Sequence, residues 1–289
     1  MALLVTVSLL PVASPAQERK EPDKNTKSEN LTWTPPSVDS PLRSLSASPP
    51  CDLAGVLEKT GERASELASN LERFTAQEQI AYKMLDQSGV PRELDSGTFN
   101  YVFAFEQRNG GVASQEYRTP VKGSASFAAS SQDTGQVALA LIFHPNMRTD
   151  YLMDCQGLDK WNGQPAWVLH FQQRKDKPRR TLHVLAGSVV YGARVKGRAW
   201  VSTGSFQIIH LETNLMNGAP EVQLRTNAVS IDYAPVRIQS RKLELWLPVR
   251  IEAYWEFENY RKILVHTFTD FQLFAVDTEE KAQKPEGPQ

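Results

Sequence analysis

Residues 191–274 read YGARVKGRAWVSTGSFQIIHLETNLMNGAPEVQLRTNAVSIDYAPVRIQSRKLELWLPVRIEAYWEFENYRKILVHTFTDFQLF, and this stretch decides the fold. Side chains of a β-strand point to opposite faces with a period of two, so a half-buried strand writes alternation into its sequence. Val195, Gly197, Ala199 and Val201 alternate with Arg194, Lys196, Arg198 and Trp200. Thr203-Gly204-Ser205 supplies a turn, and residues 206–215 return with Ile209 and Leu211 on one side and Ile208, His210 and Glu212 on the other. Asn217-Gly218-Ala219-Pro220 breaks the run before a strand over 222–233. Ala234-Pro235 reads as the next turn, leading to a strand over 236–247, and Pro248, which cannot donate to a ladder, reads as the point where pairing stops. Ile251, Ala253, Trp255 and Phe257 then oppose Glu252, Tyr254, Glu256 and Glu258. After Asn259 a last strand carries Ile263, Val265, Phe271 and Leu273 on one side and Leu264, Phe268 and Phe274 on the other. An antiparallel sheet with one wet face alternates cleanly, so a strand that is apolar on both sides calls for a second cover. A helix of the same chain, a partner protein and an apolar ligand are the alternatives.

Upstream, Asp52 is an N-cap candidate for a helix whose apolar stripe is Leu53, Val56, Leu57, Ala64, Leu67, Ala68 and Leu71. Residues 80–85 and 98–106 read as a hairpin pair, with Phe99, Tyr101, Phe103 and Phe105 on one face and a turn at Gly110-Gly111. Residues 134–143 read as a short helix that stops before Pro145. Strands follow over 151–154, 157–161 and 165–173, the last two joined by the tight-turn pair Asn162-Gly163. The sum is a mainly β chain of α+β type.

With 289 residues and a net charge of −1, the chain has room for a large β domain and lacks the concentrated basic surface expected of a nucleic-acid binder. Ala2 to Ala13 form an apolar run too short to span a bilayer, and Ser14-Pro15-Ala16 places small residues before a cut at Gln17. Residues 1–16 are therefore expected to be a signal peptide, placing the mature chain, which has no transmembrane span, in the periplasm or outside the cell. Residues 17–50, punctuated by Pro35, Pro36, Pro41, Pro49 and Pro50, are expected to be a disordered linker, 51–278 the folded domain and 279–289 a disordered tail. Two cysteines in an exported chain favour a Cys51–Cys155 bridge over two separate thiols.

Chemistry is sparse. His144, His170, His183, His210 and His266 form no pair with metal-ligand spacing, and the sequence has no CxxC, GxSxG, SxxK or phosphate loop. His170 with Asp154, Asp159 or Ser188, and the row Glu252, Glu256 and Glu258, are the best paper assemblies of a hydrolase, and both arise freely in a chain this polar. The chain is thus read as no enzyme, with no metal and no cofactor. The aromatic residues say more, because an aromatic-lined sheet holds an apolar ligand without polar partners. Phe103, Phe105, Trp167, Phe171, Trp200, Trp246, Trp255 and Phe268 are the candidate ligand-facing residues, with ordinary core as the alternative. Arg174, Lys175, Lys177, Arg179 and Arg180 form a basic turn, read either as a docking patch for an anionic partner or as a solvated hairpin tip.

Gly197-Arg198-Ala199-Trp200-Val201-Ser202 with Phe206-Gln207-Ile208-Ile209-His210-Leu211-Glu212, and later Leu245-Trp246-Leu247-Pro248, resemble hairpins of the outer-membrane lipoprotein-sorting proteins, the half-barrel group of LolA and RseB. Exported bacterial proteins that combine a leading Cys and helix with the Trp161-Asn162-Gly163-Gln164-Pro165-Ala166-Trp167 hairpin are a closer likeness, over roughly 51–278. Ser202 departs from the Asp often found in that hairpin, and no functional residue of the group carries over by position. The resemblance implies a curved antiparallel half-barrel sheet with one or two helices packed on its concave face, the helix after Cys51 and the short one near Leu139. It also implies a partner that is a lipid or lipoprotein. The alternative is a structural module of the envelope that docks another envelope protein.

Overall fold

The computed structural model describes residues 32–273 apart from 43–44, 47–48, 71–72, 109–110, 122–134, 180–181, 187–188 and 239–242. The expected signal peptide and tail, residues 17–31 of the expected linker, Arg180, Ser188 and Phe274 lie outside the described residues.

Ten strands form one antiparallel, curved and open sheet, as expected of the half-barrel arrangement. In chain order they are β1 (Arg73–Leu85), β2 (Pro91–Arg108), β3 (Gly111–Pro120), β4 (Tyr151–Trp161), β5 (Gln164–Gln173), β8 (Val195–Ser202), β9 (Ile208–Leu215), β10 (Leu224–Ile238), β11 (Leu243–Phe257) and β12 (Arg261–Leu273). A separate hairpin, β6 (Leu182–Ala186) with β7 (Val189–Ala193), interrupts the run between β5 and β8. Across the sheet the order is β3-β2-β1-β12-β11-β10-β9-β8-β5-β4, so the first and last strands lie side by side and β3 and β4 are the two edges. Asn162 and Gly163 both take positive φ, 48° and 81°, which is the conformation a two-residue turn between β4 and β5 needs.

The inner face carries one large core: Phe74, Tyr101, Phe103, Leu169, Phe171, Val195, Ala199, Val201, Leu211, Val229, Ile231, Ile251, Ala253 and Phe268 among others. Helix α1 (Leu53–Asn70) and a 3-10 helix (Val137–Phe143), followed by the one-turn α2 (Pro145–Arg148), lie on it. Val56, Ala64 and Ala68 of the predicted stripe are buried there beside Leu139 to Phe143. Gly61 lets α1 come close to the 3-10 helix, since an added Cβ would sit 3.3 Å from the Phe143 carbonyl oxygen. At Gly197 the Phe171 ring occupies the space of a side chain, and a Cβ would meet it at 2.1 Å.

Several boundaries differ from the alternation pattern, each for a local reason. Ala234-Pro235 is no turn, and β10 runs through it. β10 pairs with β9 only from Ala228 to Asp232, so Pro235 sits where no β9 neighbour needs its missing N–H. Pro248 likewise does not end pairing: it lies opposite Tyr233 at a register shift, before β11 meets β12 at Arg250. The four expected strands of this region are therefore three. Between Trp200–His210 and Val201–Ile208 the register slips, so Ile208 joins the inner core with Leu211 while Ile209 goes to the outer face. A second irregularity, with Asp270 at φ 53°, turns Phe271 and Leu273 to the same core as Phe268 instead of the side of Ile263 and Val265. Residues 151–161 form one strand with a bulge between Cys155 and Gly157 rather than two.

The proline-rich segment adds a contact surface that the expected linker did not include. Residues 32–42, 45 and 46 lie against the sheet and supply the second cover that the two-sided apolar strands demand. The compact unit begins at Thr32. Trp33 packs on Tyr254 with ring centroids 4.9 Å apart and donates to Glu252 at 2.9 Å. Val38 is fully buried, and Asn214 ties down the backbone on both sides of it, accepting from the Val38 N–H and donating to the Pro36 carbonyl. Asp39 pairs with Lys196, the Ser40 carbonyl accepts from Arg198, and Leu42 and Leu45 pack on the outer cluster of Ala166, Val168, Trp200 and Ile209. Ser46 then exchanges two 2.8 Å backbone bonds with Leu158 on the edge strand β4. The segment is a strap across the outer face. Cys51 and Cys155 are disulfide-bonded, with Cα atoms 6.3 Å apart, at the point where the chain passes from that face to α1 on the inner one.

Candidate functional site

The inner face under α1 is the candidate site, and its chemistry divides into an aromatic wall, a buried ionic cluster and a polar-ended slot. Strand alternation sets the wall. Phe74 stacks on Phe103 at 5.2 Å, Tyr101 meets Phe268 at 5.2 Å, and Phe271 lies 5.9 Å from Phe74. Further along, Phe171 makes edge contacts with Phe143 at 5.8 Å and Tyr151 at 5.9 Å.

Of the sequence-predicted ligand-facing residues, Phe103, Phe171, Trp255 and Phe268 are buried in the inner core, and Trp167 and Trp246 pack against it. Trp200 is not among them. Its parity with Arg198 puts it on the outer face, where it meets Trp161 at 5.1 Å and donates to Asp159. A single hollow lined by the tryptophans is thus ruled out for Trp161 and Trp200. The Phe105 side chain lies outside what is described.

The ionic cluster sits beside the aromatic wall, at inward positions of β1, β3 and β12. Arg118 grips Glu78 with two bonds of 2.6 and 3.0 Å and reaches Glu116 at 3.3 Å, its guanidinium 5.0 Å from the Tyr101 ring centre. His266 Nδ1 lies 2.8 Å from the same Glu78, and Glu116 accepts from the Gly135 N–H at 2.7 Å. Burial pushes the Glu78 carboxyl up, but the hydrogen bonds and charges of His266 and Arg118 outweigh it, so the group sits below its ordinary value. At Glu116 burial prevails over Arg118 and the carboxyl is raised. The sequence carries a signal for this cluster that alternation alone does not single out: Glu78 follows Phe74 and Ala76 at inward spacing, and His266 stands between Leu264 and Phe268.

Between α1, the 3-10 helix and β9 to β11 lies a slot of about 20 Å³, lined by Thr60, Arg63, Ala64, Leu67, Ala140, Gln207, Ile208, Tyr233 and Trp246. Thr60 Oγ1 and the Tyr233 hydroxyl are buried in it with no hydrogen-bond partner of ordinary geometry. Burial raises the Tyr233 hydroxyl pKa, with the neighbouring Ala140 amide opposing. On the outer face a larger hollow of about 370 Å³ lies against Ser46, Leu158, Asp159, Lys160 and Pro165.

The remaining sequence candidates do not converge. His170 Nδ1 is 3.1 Å from Asp154 on the outer face, while Asp159 is engaged by Trp200. Glu252 accepts from Trp33 and Arg250, and Glu256 from Tyr254. In the basic turn Arg174 pairs with Asp176, Lys177 with Asp150, and Arg179 reaches the Gly192 carbonyl and the Tyr191 hydroxyl. Among the described residues no group of three His, Cys, Asp or Glu side chains could hold a metal ion, and no helix is long and apolar enough to cross a membrane.

No protein-family profile and no curated protein matches the sequence. The fold is similar to a number of solved structures, among them the following three. A DUF1329 family protein from Desulfovibrio piger shares 11% identity, with 78% of this chain and 94% of that one covered and a TM-score of 0.43. A domain named for outer membrane lipoprotein sorting, from Vibrio parahaemolyticus, shares 14%, covering 78% and 95%, with a TM-score of 0.36. The lipoprotein LppX of Mycobacterium tuberculosis shares 8%, covering 76% and 96%, with a TM-score of 0.27. These are likenesses of arrangement, and nothing about ligand or activity follows from them.

Proposed function

We propose that the chain is a non-enzymatic binding protein of the cell envelope that takes an acyl chain, free or on a lipid or lipoprotein, against the inner face of its sheet. One observation carries the reading. The aromatic wall and the rest of the inner core are roofed by helices that contribute no strand to the sheet, so the cover can part from the apolar surface without breaking a ladder. The disulfide supports a site of action in an oxidising compartment, in line with the apolar leader.

The slot of about 20 Å³ is far below the roughly 300 to 1,000 Å³ of small-ligand pockets. In this reading the described form is therefore closed, and uptake lifts the roof. Its attachments set the direction. The Cys51–Cys155 bond fixes the chain just before α1, β1 begins at Arg73 directly after the Asn70 end, and Arg148 Nη1 donates to the Leu57 carbonyl at 2.9 Å, so the helix shifts between two tethered ends.

The test is an organic extract of the mature protein, purified from its native envelope and analysed by mass spectrometry, together with titration by a fluorescent fatty acid. Co-purified lipid and saturable binding are expected. An empty extract with no binding, and crosslinking to a defined envelope protein instead, would select the docking-module alternative.

A further inference from the structure

We infer that the slot between α1 and the β10–β11 ribbon is a polar-anchor site, in which Thr60 and Tyr233 together hold one carbonyl or carboxyl oxygen of the bound acyl compound. The inference rests on the reading above and adds the group recognised and the residues that recognise it.

Thr60 is fully buried in the middle of α1, and a buried helical threonine ordinarily returns its hydroxyl to the carbonyl one turn back. Here Oγ1 makes no such bond, and the Tyr233 hydroxyl, on the opposite wall, has only the Ala140 amide beside it, a donor that leaves the hydroxyl proton without an acceptor. A buried polar group is stabilised by a hydrogen-bond partner, so two hydroxyls that line one cavity form a pair of donors able to converge on one acceptor atom. A space of about 20 Å³ accommodates one oxygen atom. Both neighbours are hydroxyl donors and each has lone pairs to spare, so an acceptor oxygen suits them best. The rest of the lining fixes the class of molecule. Leu67, Ile208 and Trp246 supply apolar walls beside the polar Arg63 and Gln207, and Leu67 and Trp246 are only half-buried, so a hydrocarbon chain has an apolar side along which to leave the slot. The ionic cluster of Glu78, Arg118 and Glu116 offers no comparable vacancy, since its members bond one another.

The shared chemistry is an sp² oxygen on an acyl chain, which a free fatty acid and an ester-linked acyl group both provide. Oleate and monoolein separate them. Calorimetric titration of each into the full mature protein is compared with Thr60→Val and Tyr233→Phe, changes that remove a hydroxyl and little volume. Each is expected to weaken binding about threefold to tenfold, as loss of one hydrogen bond does. Without ligand the melting temperature is expected to stay or rise, because an unpaired buried hydroxyl is removed. Weakening for both compounds assigns the oxygen to an ester-type carbonyl, and weakening for oleate alone assigns it to the free carboxyl. Unchanged affinity of both variants overturns the site while leaving the binding function standing. A clear drop in ligand-free melting temperature for both variants, with no further loss of affinity, also overturns it, since the hydroxyls would then serve the fold. Failure of the unmodified protein to bind either compound overturns this inference and the function beneath it.

Discussion

On the inner face of the sheet α1 and the 3-10 helix present Val56, Ala64, Ala68 and Leu139 to Phe143 to a continuous apolar core, whereas on the outer face the strap from Thr32 to Ser46 is sutured by hydrogen bonds and ion pairs. The same ten strands thus carry two covers of different physical kind. Apolar packing is non-directional and tolerates sliding. Each suture is a bond of fixed geometry that leaves a desolvated partner when it opens. The inner cover is accordingly the one suited to release, and the outer one to permanence.

The disulfide joins the two covers, and cutting it gives the sharpest break. In the chain-entropy picture a loop of this length is worth about 4 to 5 kcal/mol, so Cys51→Ser with Cys155→Ser should lower the denaturation midpoint by a corresponding amount. A loss confined to α1 in hydrogen exchange would show that the bond holds the roof alone. On the inner face Glu78→Gln takes from the buried Arg118 its two-bonded carboxylate, leaving only the 3.3 Å contact to Glu116, and should cost about 3 to 5 kcal/mol in urea unfolding. On the outer face Asn214→Ala leaves the buried Val38 N–H without its acceptor and should cost about 1 to 3 kcal/mol. Were the outer loss to equal the inner one, the contrast between the covers would fail.

Glu78 on the inner face and His210 on the outer one answer pH in opposite directions. The folded Glu78 carboxyl lies below its ordinary 4.5, so its contribution is present above that value and is lost as pH falls through the folded one. For His210, burial lowers the pKa, but the hydrogen bonds and charges of Asp232 and Glu212 prevail and raise it above 6.5. Its contribution is complete below 6.5 and is lost as pH rises through the folded value. Melting curves from pH 3 to 9 should therefore lose an acid-side component in Glu78→Gln and an alkaline-side one in His210→Gln. Smallest of all, Arg174→Ala in the basic turn, whose ion pair with Asp176 is exposed, should leave the melting temperature unchanged.

The inner cover was legible in the sequence and the outer one was not, for reasons that lie in the residues. The stripe from Leu53 to Ala68 announces a helix because apolar packing forces a period on the side chains. The strap has no period. It follows Pro35, Pro36 and Pro41, exposes polar side chains and spends its backbone groups on Asn214 and Arg198, which no local pattern reveals. Alternation located the strands but could not foresee the slips near Ile209 and Asp270, which carry Ile208 and Phe271 to the inner face. The place of Trp200 was legible, since alternation sets it with Arg198 and opposite Val201, yet its aromatic character made it a ligand candidate all the same. Thr60 gave no sign at all, as an isolated threonine in a helix is an ordinary residue until its partner proves missing.

The central claim is that the roof moves to admit an acyl chain while the strap stays in place. Hydrogen–deuterium exchange of the mature protein with and without saturating oleate tests it most directly. The account predicts altered exchange in residues 53–70 and 137–143 and unchanged exchange in residues 32–46. Unchanged exchange in α1 on saturation, or a change confined to the strap, would contradict it.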